Sequence, residues 1–233
     1  MALFLTFSIL AMVLGIRGTH LTQTKKPPAD AFLLRIAPSV IFATATWGLL
    51  IAGFLPVTAQ NIIIASSLTL IAAADYTLNA PLPDSSFIIG MGIYFVAYSL
   101  LTIGFNLDLF TPQPSLNTRV STLGGVFAAL ISYGIYLSLD RLSRESPIIK
   151  YAVIAYLILQ TLFLGLTLHH FGYETISQFG VLVIFAVITL YVSDVFIAIR
   201  KFSNLIKDAR ITEWLASILF YIGLTFTFAA IVL

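Results

Sequence analysis

The sequence contains no cysteine among its 233 residues. That excludes disulfides, thiolate metal sites and a cysteine nucleophile. Charge is scarce too: Asp, Glu, Lys and Arg make up 9% of the chain, against about 25% in an ordinary soluble domain. A net charge of +2 is too small to imply nucleic acid as a partner. No GxSxG, HExxH or Walker pattern occurs, so the usual signatures of serine hydrolases, zinc hydrolases and P-loop enzymes are missing. No lysine stands in the middle of an apolar run, where a retinal Schiff base would need one.

What the chain has is apolar sequence. Hydrophobic residues reach 59%, more than a water-soluble fold of this size can hide. Eight apolar runs cover roughly residues 2–16, 32–56, 61–79, 87–107, 120–139, 147–168, 178–199 and 212–233. Short breaks rich in Pro, Asn, Asp and Ser separate them, among them KKPPAD, NAPLPDSS, TPQPSLNTR and DRLSRESP. The runs are continuous rather than alternating, which predicts helices and not the strands of a barrel. The expected architecture is all-α: a polytopic membrane protein, one bundle of eight transmembrane helices over residues 1–233. The opening MALFLTFSILAMVLGI has no basic start and no small-x-small cleavage site, so it reads as a retained first span.

The basic residues set an orientation. Of the twelve Lys and Arg, eleven flank the first, fifth and seventh connections, and only Arg119 falls on the other side. By the positive-inside rule both termini are expected to be non-cytoplasmic.

Two acids break the apolar pattern. Asp75 lies in the third run and Asp194 in the seventh, each about fourteen residues from the non-cytoplasmic start of its helix. At about 1.5 Å per residue that is roughly 20 Å into a core of about 30 Å. The two helices run the same way, so the carboxyls are expected at similar depth. An acid there costs about 2.5–3.5 kcal/mol and turns to the bundle interior. Loss of water disfavours the ionised form of a carboxyl, and a neutral carboxyl is what a general acid requires. A purely structural hydrogen bond between helices is the simpler use of one such residue; a matched pair favours chemistry.

Several polar residues are expected near them. Ser193 and Tyr191 adjoin Asp194. Tyr94 and Tyr98 lie on helix four, Tyr151, Tyr156 and Gln160 on helix six, and Tyr221 on helix eight. Arg35, at a cytoplasmic helix end, suits an anionic lipid headgroup, or it snorkels to the interface. His169 and His170 are adjacent in a short outer loop with no cluster of further ligands, so no metal site is expected.

The motifs resemble the YhhN family of lysoplasmalogenase-like membrane proteins. The resemblance rests on Phe185, Ser193, Asp194, Ile197, Ala198, Lys201 and Phe202; on Ala74-Asp75; on Phe87, Gly90, Tyr94 and Ala97; and on Tyr221 in the last helix. Tyr98 stands where the family has a His, and Ala74 where it has a Gly. The resemblance implies hydrolysis of the vinyl ether of a lysophospholipid, with Asp75 and Asp194 as catalytic acid and base. It implies substrate-binding roles for Arg35, Tyr98, Tyr151, Ser193 and Tyr221, and no cofactor. The partners it implies are membrane lipids, a lysophospholipid substrate among them. The alternative is a non-catalytic structural or lipid-binding subunit associated with other membrane subunits.

Overall fold

The computed structural model describes residues 2–24, 30–79, 85–107, 118–172, 176–206 and 208–233. Among these residues there are eight long helices and no strand: α1 (Ala2–Thr22), α2 (Ala31–Ile51), α3 (Ala59–Asn79), α4 (Ser85–Phe105), α5 (Thr118–Ser138), α6 (Pro147–Leu168), α7 (Gln178–Phe202) and α8 (Ala209–Val232). All eight are long and apolar enough to cross a membrane.

The helix ends follow local chemistry. Ser146 caps α6 by accepting from the Ile149 amide, and Pro147 opens that helix where its missing N–H costs nothing. Ser177 caps α7 through Gly180, and Asp208 caps α8 through Arg210 and Ile211. The second run was expected to continue to residue 56, but α2 ends at Ile51. Gly53 takes φ +74°, a conformation that suits glycine, and Pro56 follows. In the other direction, α1 runs on past the sixteenth residue to Thr22. Its late Arg17 and His20 therefore extend a helix that is long enough to span.

Within the bilayer core each Ser and Thr hydroxyl needs a partner. Most find the carbonyl a turn back, as Thr46 does at Phe42 and Thr227 at Gly223. Two serines donate instead to a backbone carbonyl of a neighbouring helix. Ser67 donates to the Ala97 carbonyl at 2.7 Å, and Ser193 to the Ala216 carbonyl at 2.8 Å. They tie α3 to α4 and α7 to α8.

Consecutive helices pack as pairs, and α8 also meets α1 and α2. The core is continuous through Phe42, Leu68, Leu101, Phe163, Leu190 and Phe228. Phe4 stacks on Phe228 with ring centroids 5.9 Å apart, so both ends of the chain lie at one face. At the opposite face the ends of α1, α5 and α7 and the starts of α2 and α8 converge. There Gln23 donates to the Arg210 carbonyl, Arg35 pairs with Glu213, and the Arg141 amide donates to the Phe202 carbonyl. This convergence positions the site.

Candidate active site

Asp75 and Asp194 line the same cavity, of about 340 Å³, within the range of about 300–1,000 Å³ usual for small-molecule pockets. Its walls come from α2, α3, α4, α6, α7 and α8. Its apolar lining includes Leu78, Phe87, Met91, Leu157, Val195 and Ile197.

Each acid is held by a phenol from a neighbouring helix. Tyr94 of α4 donates to Oδ1 of Asp75. Ser39 of α2 and the Arg35 charge also bear on Asp75, although the Ser39 hydroxyl itself donates to the Ile36 carbonyl. Tyr156 of α6 donates to Oδ2 of Asp194 at 2.9 Å. The Gln160 amide donates to that same oxygen at 2.5 Å and to the Tyr156 oxygen at 3.1 Å. Both donors thus take Oδ2. One turn separates Tyr156 from Gln160, which puts both on the α6 face turned towards Asp194.

The mouth of the cavity is charged. Arg35 of α2 and Arg200 of α7 share Glu213 of α8: Oε1 accepts from Arg35, and Arg200 Nη1 lies 3.1 Å from Oε2. The Lys201 ammonium sits 2.9 Å above the centre of the Phe87 ring, a cation–π contact. Arg35, Arg200 and Lys201 all line the cavity with Glu213, so cations outnumber anions at its rim. Two guanidinium forks beside an apolar slot suit a phosphate joined to an aliphatic chain.

Of the seven residues to which the resemblance gave catalytic or substrate-binding roles, five line the cavity: Arg35, Asp75, Ser193, Asp194 and Tyr221. Two of these have hydroxyls committed elsewhere. Ser193 is fully buried and bonded to Ala216. Tyr221 donates to the Arg35 carbonyl at 3.1 Å and meets Thr19 Oγ1 at 3.1 Å. It therefore fixes the backbone that carries Arg35. Tyr98 is fully buried, stacks on Tyr94 and meets Tyr156 edge-on, behind the cavity wall rather than in it. Tyr151 is 73% exposed on the outer side of α6 and is absent from the wall. Sequence reasoning counted Arg200 only towards the orientation and did not single out Glu213; an acid among basic helix ends was the available signal. His169 and His170 follow the other end of α6, their rings tilted at 31° with centroids 4.4 Å apart.

The YhhN family's sequence model matches residues 3–230. The chain belongs to the YhhN family. No curated protein and no solved structure matches it. The match spans every helix that builds the cavity, so the acid pair, the phenols and the charged mouth all lie within the YhhN region.

Proposed function

We propose that this YhhN protein is a membrane-embedded hydrolase that cleaves the vinyl ether of a lysoplasmalogen. One observation carries the reading: two carboxyls, each held by a phenol, line one apolar cavity whose mouth is cationic. A single-chain lipid has the matching parts. Its chain suits the apolar walls, and its phosphate suits Arg35 and Arg200. The vinyl ether between them then falls near the acids.

The chemistry needs two groups in opposite protonation states. A neutral carboxyl protonates the alkene carbon that does not bear oxygen, and the π electrons form the new C–H bond. The adjacent carbon becomes an oxocarbenium ion, which an ionised carboxylate stabilises. That carboxylate takes a proton from water as its oxygen attacks the cation. The resulting hemiacetal loses its glycerol oxygen, which leaves with the hemiacetal proton, and a fatty aldehyde remains. Asp75 and Asp194 divide the acid and base roles. Burial away from bulk water limits premature loss of the cation.

A purely structural subunit would pack its acids dry against neighbouring helices. The cavity at Asp75 and Asp194 favours the hydrolase instead. The test is purified protein in lipid nanodiscs with a lysoplasmalogen and a saturated-ether analogue. Aldehyde released from the first and not from the second supports the proposal. No aldehyde from either, with folded protein, refutes it.

A further inference from the structure

Hydrolysis by two carboxyls leaves an imbalance after every turnover. The acid has given its proton to carbon, and the base has taken one from water. The product hemiacetal breaks down with no net proton change. The next turnover therefore requires a proton to pass from the base back to the acid. This inference rests on the hydrolase reading above.

The residues between the acids are three tyrosines. Tyr94 is bonded to Asp75 and Tyr156 to Asp194. Tyr98 touches both phenols, with ring centroids 5.8 Å from Tyr94 and 6.1 Å from Tyr156. It is fully buried, and its hydroxyl meets no partner at hydrogen-bond geometry, although it faces Asp194 and Tyr156 and feels the Asp75 charge. Leaving a buried hydroxyl unsatisfied costs about 1–3 kcal/mol. Phe would fill the same volume without that cost. Substrate contact does not account for the hydroxyl, because Tyr98 lies behind Tyr94 and Tyr156 and outside the cavity wall. A phenol is both donor and acceptor. It can take a proton on its oxygen while releasing its own to the other side, with no lasting charge.

We propose that Tyr98 returns the proton between Asp194 and Asp75, through Tyr94, after each turnover while product or lipid still fills the cavity. The hydroxyl proton of Tyr98 moves towards one acid as the proton on the other acid's side replaces it. Nothing is oxidised or reduced. Tyr98 is a positioning and relay residue that does not touch substrate.

The test is Tyr98→Phe, which removes one oxygen and keeps the ring stacks. First-turnover and steady-state aldehyde release are measured side by side. The relay requires the steady-state rate to fall at least tenfold more than the first-turnover rate, giving a burst of one aldehyde per chain. Equal loss in both phases, or no loss in either, overturns it. A second measurement is independent of hydrolysis. With a saturated-ether lysolipid filling the cavity, infrared spectra follow deuterium exchange of the Asp75 and Asp194 carboxyls, identified with Asp75→Asn and Asp194→Asn. Exchange at least tenfold slower in Tyr98→Phe supports the relay, and exchange at the wild-type rate overturns it. Inactive wild-type protein would sink the hydrolase reading and leave this second measurement to decide the relay.

Discussion

Arg200 lies 3.1 Å from Glu213, and the same carboxylate accepts from Arg35. One anion thus holds two cations from separate helices at the cavity mouth. On the proposed hydrolase reading, a lipid phosphate entering there would compete with Glu213 for both guanidinium groups. Removing the Glu213 charge frees them, so Glu213→Gln is expected to lower KM for the lysolipid. Arg35→Ala is expected to raise KM by about tenfold with little change in kcat, since a charged hydrogen bond is worth about 1.5–3 kcal/mol and partial exposure reduces that. Steady-state kinetics on both variants decides the point. A fall in kcat alone in Arg35→Ala would place Arg35 in the chemistry rather than in binding.

The acids themselves give the sharpest prediction. Asn keeps the shape of Asp but neither donates an acidic proton nor carries a charge. Asp75→Asn and Asp194→Asn are each expected to reduce kcat by about a hundredfold or more, the usual scale for general acid–base catalysis. The double variant is expected to lose little beyond the worse single one, because the two act as a unit. Aldehyde release by the three variants measures this. Rates near wild type in either single variant would exclude the mechanism.

The eight spans were legible because each apolar run has the length a bilayer requires. The acids were legible because a carboxyl in such a run needs a reason. Rotation about the helix axes was not. Five residues separate Tyr151 from Tyr156, about 140° around a helix. One therefore faces outward and the other meets Asp194, and composition treats them alike. Glu213 was missed for a different reason. A charge one turn inside a helix end reads as interfacial until the partner ends are known, and Arg35 and Arg200 are distant in sequence. Ser193 and Tyr221 were found near the site, but their hydroxyls serve helix contacts. Proximity in sequence to an acid does not say where a hydroxyl points.

The close approach of α1 to α2 is a further point of control over Arg35. A Cβ on Gly18 would run into the backbone of Leu34 and Arg35. Backbone cannot yield as a flexible side chain can, so Gly18→Ala must push the helices apart. A loss of about 1–3 kcal/mol is expected, the scale of overpacking, along with a weaker grip on the lysolipid because Arg35 moves. Gly48 in α2 has open space where a Cβ would go, and Gly48→Ala is expected to leave stability unchanged or slightly raised. Thermal unfolding of the pair in one detergent separates the local clash from a general intolerance of alanine.

Outside the spans, Asp140 ties the end of α5 to the end of α7. Its Oδ1 accepts from the Asn204 amide at 3.1 Å and its Oδ2 from the Asn204 side chain. Arg141 Nε donates to the Asn204 side-chain oxygen at 2.6 Å. The Asn204 side chain holds the Asp140 carboxyl below its ordinary value of 3.8. A carboxyl with a lowered folded-state value adds stability above the unfolded value and loses it as pH falls through the folded one. This contact is therefore intact at neutral pH and weakens only below about pH 4. Asp140→Asn is expected to abolish that acid sensitivity at the α5–α7 junction while leaving neutral-pH hydrolysis intact. Hydrogen exchange at the Asn204 amide, followed from pH 6 to pH 3, measures it. A protection factor, taken against the unfolded-chain rate at each pH, that drops on acidification in wild type but not in Asp140→Asn is the expected result, and identical profiles would mean the carboxylate does not secure the junction.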